Sequence, residues 1–401
     1  MNFETADKAA SRLGVTMRCV QKWAKEGKIP FAHKVGRDWM IPNTAVRPSD
    51  KVIKETKTAP ENKTKIYDKR PLFSAFPLMK YFSFGKMEDC ISTLETEEER
   101  KMGLCEYYYM IGELSKCAAE TEPLLNSPNL EIRSMAAVYC VFSNLAEGHL
   151  NKSRYASKII QNALEESLGE HKDESLTAIA VFSALSVKLI LQLPIDSIPP
   201  MKDYVRFLDN GLKALGCYLI AYGEYLERKY EKALGVAETA LSLCRENYII
   251  PKIYLHIISA MACINLMEMD EAKKHIDEAY NLASPYEIIM PFVEHYTLLG
   301  GLIENAFKTD HIDYYNRILF YSKQYNSSWF EVYNNISEKI VADNLTNTEF
   351  TIAMLYSRNW RVKEIASHMG LSHRTVTNYI SYVYDKLQIS SKKELEKYML
   401  R

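Results

Sequence analysis

The feature that most limits how this chain can fold is one pattern written near both of its ends, 356 residues apart. The strings "AASRLGVTMRCVQKW" (Ala9–Trp23) and "IASHMGLSHRTVTNY" (Ile365–Tyr379) share Ala10/Ala366, Ser11/Ser367, Gly14/Gly370, Arg18/Arg374 and Val20/Val376. Leu13/Met369, Val15/Leu371, Thr16/Ser372 and Trp23/Tyr379 match in kind. Each shared position has a geometric task. Two short helices that cross steeply need a small residue where they touch, here Ala10 and Ala366. The turn between them needs a residue at ease with positive φ, here Gly14 and Gly370. The second helix needs a side-chain cap, Thr16 and Ser372, then an inward β-branched anchor, Val20 and Val376. Together these tasks describe a helix-turn-helix, and the second copy makes coincidence a poor explanation of the first.

Charge is distributed in the same two-ended way. The whole chain is nearly neutral, at -1. Residues 1–48 hold nine Lys/Arg against four Asp/Glu, and residues 343–401 hold nine against six. The middle is therefore acidic. Basic ends around an acidic centre suit polyanion contact at the ends, by a chain whose centre is repelled from that polyanion.

The C-terminal stretch reads as four helices. "TNTE" at Thr346–Glu349 is a capping box that opens the first, the second spans Val362–Met369, and the third runs from about His373 to Leu387. "SKKE" at Ser391–Glu394 opens the fourth, Lys392–Tyr398. On the third helix Val376, Ile380, Val383 and Leu387 form one apolar stripe and must face inward. The opposite side carries Arg374, Thr377, Asn378 and Ser381, with His373 at its N-terminal tip. A recognition helix lays that end on base edges. Asn378 can bond adenine bidentately, Thr377 and Ser381 can bond either base type, and Arg374 can reach guanine or a phosphate. Arg361, Lys363, Lys386, Lys392 and Lys393 are placed as phosphate anchors, which position without specifying sequence.

"LTNTEFTIAMLYSRNWRVKEIASHMGLSHRTVTNYISYVYDKLQISSKKEL" resembles the LuxR/NarL-type helix-turn-helix. The resemblance rests on "LT" and Glu349, on "KEIA", on Thr375–Val376, and on "KL" before a Ser-rich cap. Thr377, Tyr379 and Thr348 stand where that family usually has Lys, His and Arg. The resemblance implies dimerisation through the fourth helix.

At the other end, Thr5–Leu13 and Thr16–Glu26 are read as helices, with Gly27 ending the second. In "KIPFAHKVGRDWMIP" the residues Ile29, Phe31, Val35, Trp39 and Ile41 alternate around Gly36-Arg37-Asp38, the pattern of a short hairpin. His33, Lys34 and Arg37 lie near its tip. These 45 or so residues resemble the MerR/excisionase-type winged helix. Arg18, Gln21 and Lys22, on the outer side of the second helix, are the candidate readers.

Arg47–Pro71 is polar, charged and proline-bearing, and reads as a flexible tether. From about Leu72 to Ala342 helices follow in pairs. "YLIAYGEYLERKYEKALGVAETALSLC" is the clearest pair, and "YLHIISAMACINLMEMDEAKKHIDEAYNLA" repeats it with Ala233/Ala272 and Ala240/Ala279 both 39 residues apart. Two weaker copies begin at Tyr107 and Phe142. These strings loosely resemble tetratricopeptide repeats, which stack into a solenoid with a concave face. Tyr218, Tyr222 and Tyr225 share one helix face; they either line that concavity or pack between helices.

Other classes find little support. The eight cysteines form no CxxC pair and no zinc-spaced cluster, consistent with reduced, structural thiols. "MNFETADKAA" lacks the apolar core of a signal peptide, and the longest apolar run, Leu176–Leu193, is broken by Lys188 and several polar residues, so a buried soluble helix is expected over a membrane span. No GxxxxGK[ST], GxSxG, HExxH or GxGxxG occurs, and "FGKM" at Phe84–Met87 lacks the rest of a phosphate loop. No catalytic, cofactor or metal residue is assigned. The expected protein is mainly α: a winged helix-turn-helix over 1–48, a linker over 49–71, a helical solenoid over 72–342 and a four-helix LuxR-type module over 343–401. The expected function is cytoplasmic transcription regulation. The expected partners are double-stranded DNA, a second copy of the chain, a peptide or small-molecule effector in the solenoid, and RNA polymerase. The competing expectation is an interaction scaffold whose repeats hold a protein and whose ends do not read DNA.

Overall fold

In a computed structural model the chain is mainly α, as its helix pairs predict, and forms two compact units, 1–71 and 72–401. The structure describes residues 3–25, 29, 32–35, 38–43, 45, 76–82, 85–169, 173–191, 193, 195–244, 248–336 and 345–399. The expected tether, Gly27, Phe31, Phe84 and the Gly36-Arg37 tip lie outside these residues.

In the first unit, strand β1 (Phe3–Thr5) leads into helices α1 (Ala6–Leu13) and α2 (Met17–Lys25), followed by strands β2 (His33–Val35) and β3 (Asp38–Pro42). The predicted hairpin is present, with Lys34 opposite Trp39 and Val35 opposite Asp38. The strand β1 was not expected: Thr5, read as helical, ends a strand that pairs with the far edge of β3, Thr5 opposite Met40. An apolar cluster of Ala6, Ala9, Ala10, Val20, Ala24, Ile29 and Ile41 binds helices to sheet.

The second unit continues with α3 (Pro77–Tyr81), α4 (Met87–Ser92), α5 (Glu97–Met110), α6 (Leu114–Thr121), α7 (Leu130–Ala146), α8 (Leu150–Ser167), α9 (Glu174–Ile190), α10 (Met201–Tyr204) and α11 (Asn210–Leu226). Then come α12 (Tyr230–Leu243), α13 (Ile249–Leu266), α14 (Met269–Ala283), α15 (Met290–His295), α16 (Leu302–Phe307) and α17 (Ile312–Ile336). The last four are α18 (Asn347–Ser357), α19 (Val362–Met369), α20 (His373–Leu387) and α21 (Lys392–Tyr398).

The pairs α5/α6, α7/α8, α11/α12 and α13/α14 pack as hairpins with one shared turn. A residue at positive φ (Gly112, Gly148, Arg228 or Met267, at 86°, 77°, 62° and 64°) precedes an N-cap at ψ 62–66°. The N-cap amide then bonds the carbonyl five residues back, at 2.8–2.9 Å in all four (Glu113 to Tyr108, His149 to Asn144, Lys229 to Glu224, Glu268 to Cys263). Small residues let the paired helices close up: Ala156, Ala233 and Ala272 are fully buried. The helix α13 is long and apolar enough to cross a membrane, yet 78% of it is buried inside the stack, which accounts for its hydropathy as core. The run Leu176–Leu193 likewise forms mostly buried α9.

The first helices of the pairs turn inward. Between α3, α5, α7, α9, α11, α13 and α15 they leave an interior cavity of about 50 Å3 rather than an open groove. Tyr218, Tyr222 and Tyr225 are each 1% exposed, so of the two readings of that row, packing between helices is what the fold uses. Tyr218 alone among them reaches the cavity wall.

Candidate nucleic-acid interface

The four helices α18–α21 are capped as their sequence demands. Thr346 accepts from the Glu349 amide at 3.3 Å while Glu349 accepts from the Thr346 amide at 2.7 Å. Ser372 accepts from the Thr375 amide at 3.0 Å, and Ser391 from the Glu394 amide at 3.3 Å. Gly370 closes α19 at φ 63°, matching Gly14 at φ 62° after α1. In the first copy the Thr16 hydroxyl donates to the Cys19 sulfur at 3.3 Å.

The helix α20 has the two faces its periodicity predicts. Val376, Val383 and Leu387 are buried, and Ile380 is half-buried against the same core. His373, Arg374, Thr377, Asn378 and Ser381 are all exposed. Thr377 returns its hydroxyl proton to the His373 carbonyl at 3.0 Å, which leaves its oxygen as an outward acceptor. Tyr382, which the sequence reading passed over, is 55% exposed. It stands one turn beyond Asn378, and the signal was available in that four-residue spacing.

The expected phosphate anchors differ in how they are held. Arg361, Lys363 and Lys393 are exposed. Lys392 is half-buried; its ammonium donates to Asn359 Oδ1 at 2.8 Å and lies 4.8 Å from the centre of the Tyr356 ring. Lys386 donates to both oxygens of Glu349, at 2.8 and 2.7 Å. Burial alone would raise the Glu349 pKa, but the Lys386 and Thr346 bonds outweigh it and hold the carboxyl below its ordinary range. The Lys386 ammonium thus ties α20 to α18.

In the first unit Arg18 and Lys22 are exposed on α2, and Gln21 is half-buried. His33 and Lys34 are exposed on β2, and Arg37 lies outside the described residues. Phe3 stacks edge-on against His33, with ring centres 4.8 Å apart. Arg12 locks α1 to the strands: it bonds Glu4 at 2.8 Å, the Ala45 carbonyl at 2.7 Å and the Pro42 carbonyl at 3.3 Å.

Sequence reasoning missed how firmly the C-terminal module is seated on the helical stack. The two share one continuous core. Arg358, just past α18, donates to the Tyr225 hydroxyl and, at 3.0 Å, to Asn265 Oδ1, with its guanidinium 5.1 Å from the centre of the Tyr225 ring. His368 on α19 bonds the Gly300 carbonyl through Nε2, and Asn305 donates back to the His368 carbonyl at 2.6 Å. These contacts engage α18 and α19 and leave the polar side of α20 uncovered. No short motif encodes them, because each partner lies dozens of residues from the other.

Comparison with known families agrees with this geometry. Residues 343–399 match the family described as bacterial regulatory proteins, luxR family, and residues 5–47 match a helix-turn-helix domain. No curated protein and no solved structure matches the chain.

Proposed function

We propose that the protein is a sequence-specific regulator of transcription that reads double-stranded DNA with α20 and uses its helical stack to sense an effector. Two helix-turn-helix domains in one chain support a DNA-binding regulator. The observation that carries the finer reading is the division of α20: buried Val376 and Val383 on one side, exposed Arg374, Thr377, Asn378 and Ser381 on the other. That side is rich in groups that bond base edges, and it begins at the helix N-terminus, the end that enters a major groove.

In this reading Arg361, Lys363, Lys392 and Lys393 face phosphates, and Lys386 reaches one only by leaving Glu349. His373 meets the backbone at the tip of α20. Arg18, Gln21 and Lys22 form a second reading edge, with His33, Lys34 and Arg37 as the wing of a MerR-type module. The pairs α5/α6 to α13/α14 act as a tetratricopeptide-like stack. A second copy pairs through α21, RNA polymerase is the downstream partner, and such work places the protein in the cytoplasm with the DNA.

The test is a gel shift of the full chain against genomic fragments over a salt series. Binding should weaken as salt rises, with log K falling by about 0.9 per log unit of salt for each phosphate neutralised. No shift of any fragment at low salt would favour the interaction-scaffold reading instead.

A further inference from the structure

The interior cavity has a composition that a packing defect would not have. Among the described residues, seven aromatic rings line it, including Phe76, Tyr109, Tyr139, Phe182 and Tyr254, and no Lys, Arg or His does. The one carboxylate is Glu294, on α15, whose residue is 4% exposed. The Tyr109 hydroxyl donates to Glu294 Oε1 at 2.5 Å and the Tyr254 hydroxyl at 3.1 Å. The second oxygen, Oε2, is buried and has no hydrogen-bond partner among the described residues.

The other polar atoms around the cavity are already used. Ser186 donates to the Phe182 carbonyl at 2.8 Å. The Tyr139 hydroxyl goes to Glu106 at 3.4 Å. Beside Glu294, His295 is itself engaged: its Nδ1 donates to the Pro291 carbonyl at 2.7 Å, and its Nε2 lies 2.7 Å from the Tyr218 hydroxyl. Glu106, the other buried carboxyl nearby, differs from Glu294: its Oε2 accepts from the Leu78 amide at 2.6 Å. Among the described residues of the wall, none donates a hydrogen bond to Glu294 Oε2.

We propose that this cavity is a binding site for a small organic amine, held as its ammonium ion against Glu294 Oε2 and enclosed by aromatic rings. Ring faces attract a desolvated cation, and a carboxylate with an open oxygen supplies the matching anion. The volume of about 50 Å3 limits the ligand to a compact headgroup with a short apolar body. Phe76, which caps the five-residue α3, and Met79 within it form one wall. The assignment rests on the reading of the stack as an effector-binding domain and names the chemistry of that effector.

Burial holds the Glu294 carboxyl protonated at neutrality, with its pKa raised to about 8. Pairing with an ammonium ion ionises it, so each amine bound at pH 7 should release about one proton. The experiment uses the full chain with methylammonium, ethylammonium, isobutylammonium and benzylammonium chlorides, and the corresponding alcohols as uncharged probes. Calorimetry in two buffers of different ionisation heat should give saturable amine binding with proton release. Glu294→Gln, which keeps the shape, should bind at least tenfold more weakly. Val138→Phe, which fills the space from another wall, should lose binding while keeping the carboxyl. No saturable binding of any amine, equal binding of the alcohols, or an undiminished Glu294→Gln each overturns the assignment. A gel shift on the same samples separates the two readings. DNA binding without amine binding removes the cavity assignment alone, and amine binding by a chain that shifts no DNA removes the regulator reading alone.

Discussion

Arg12 and His368 occupy the same place in the repeated pattern, and each reaches out of its own helix pair to a backbone carbonyl: Arg12 to Ala45 at 2.7 Å, His368 to Gly300. One position in two helix-turn-helix units thus fastens each unit to what lies beside it. In the C-terminal unit the fastener is titratable.

Burial lowers the His368 pKa, and the Gly300 bond only partly restores it. Seated against Gly300 and Trp360, the ring is favoured neutral. The sign follows from linkage: a histidine depressed on folding contributes fully above its unfolded value, about 6.5, and that contribution is lost as pH falls below it, by roughly 1.4 kcal/mol for each unit crossed. Hydrogen-exchange protection factors at the amides of residues 300–302 and 366–370, taken against the intrinsic rate at each pH, should fall between pH 7 and pH 5. In His368→Gln, which cannot titrate, the same protection factors should show no such acid-dependent fall. An equal fall in both proteins would remove His368 as the cause.

Asn378 and Lys363 should separate base reading from backbone anchoring. Both are exposed, Asn378 on the polar side of α20 and Lys363 near the start of α19. Asn378→Ala should relax preference at a single base position by roughly 1–3 kcal/mol, while Lys363→Ala should weaken all sequences alike and flatten the salt dependence by about one phosphate. Binding-site selection with each variant checks this, and uniform losses from both would mean the reading edge has been misplaced.

The parts of this architecture that sequence revealed are those governed by local rules. The caps at Thr346, Ser372 and Ser391, the left-handed glycines 14 and 370, and the two faces of α20 depend on residues within four positions of each other, and they are where periodicity placed them. The pairing of β1 with β3 was not legible, because Phe3–Thr5 is three residues long and its partner lies some 35 positions on. The same holds for Arg358 with Tyr225, and for Glu294 with Tyr109, 185 positions earlier. The tyrosine row on α11 was ambiguous for a related reason. A helical face says which residues share an environment, and whether that environment is a groove or a closed interior depends on how far the stack curls.

The shared hairpin turn gives a graded test. Gly112 sits at φ 86°, and a Cβ there would meet Ile289 Cδ1 at 2.9 Å and the Tyr321 ring at 3.0 Å. Gly112→Ala should cost about 2–3 kcal/mol, combining left-handed strain with overpacking. Gly148→Ala, at φ 77°, should cost about 1–2 kcal/mol from strain. Met267 already bears the strain, at φ 64°. Met267→Gly should fall within about 0.5 kcal/mol of neutral, since relief of strain is offset by the greater freedom of glycine in the unfolded chain. Urea denaturation of the three variants checks the order, and a neutral Gly112→Ala would show that the turn is not held in that conformation.

Glu294 should leave its mark on the pH dependence of stability in the absence of any ligand. Its pKa is raised by burial from 4.5 to about 8, against the smaller opposing effect of the bonds from Tyr109 and Tyr254. The groups that bond it, Tyr109 and Tyr254, are uncharged hydroxyls. A carboxyl raised on folding contributes most at low pH; its contribution declines once pH exceeds the unfolded value and is gone above the folded one. Between about pH 5 and pH 8 the native protein should therefore lose stability relative to Glu294→Gln, at up to roughly 1.4 kcal/mol per pH unit. Denaturation curves of the two proteins at half-unit intervals should show the stability of the native protein falling relative to Glu294→Gln as pH rises; parallel curves across that window would mean that Glu294 is ionised in the folded state and already paired.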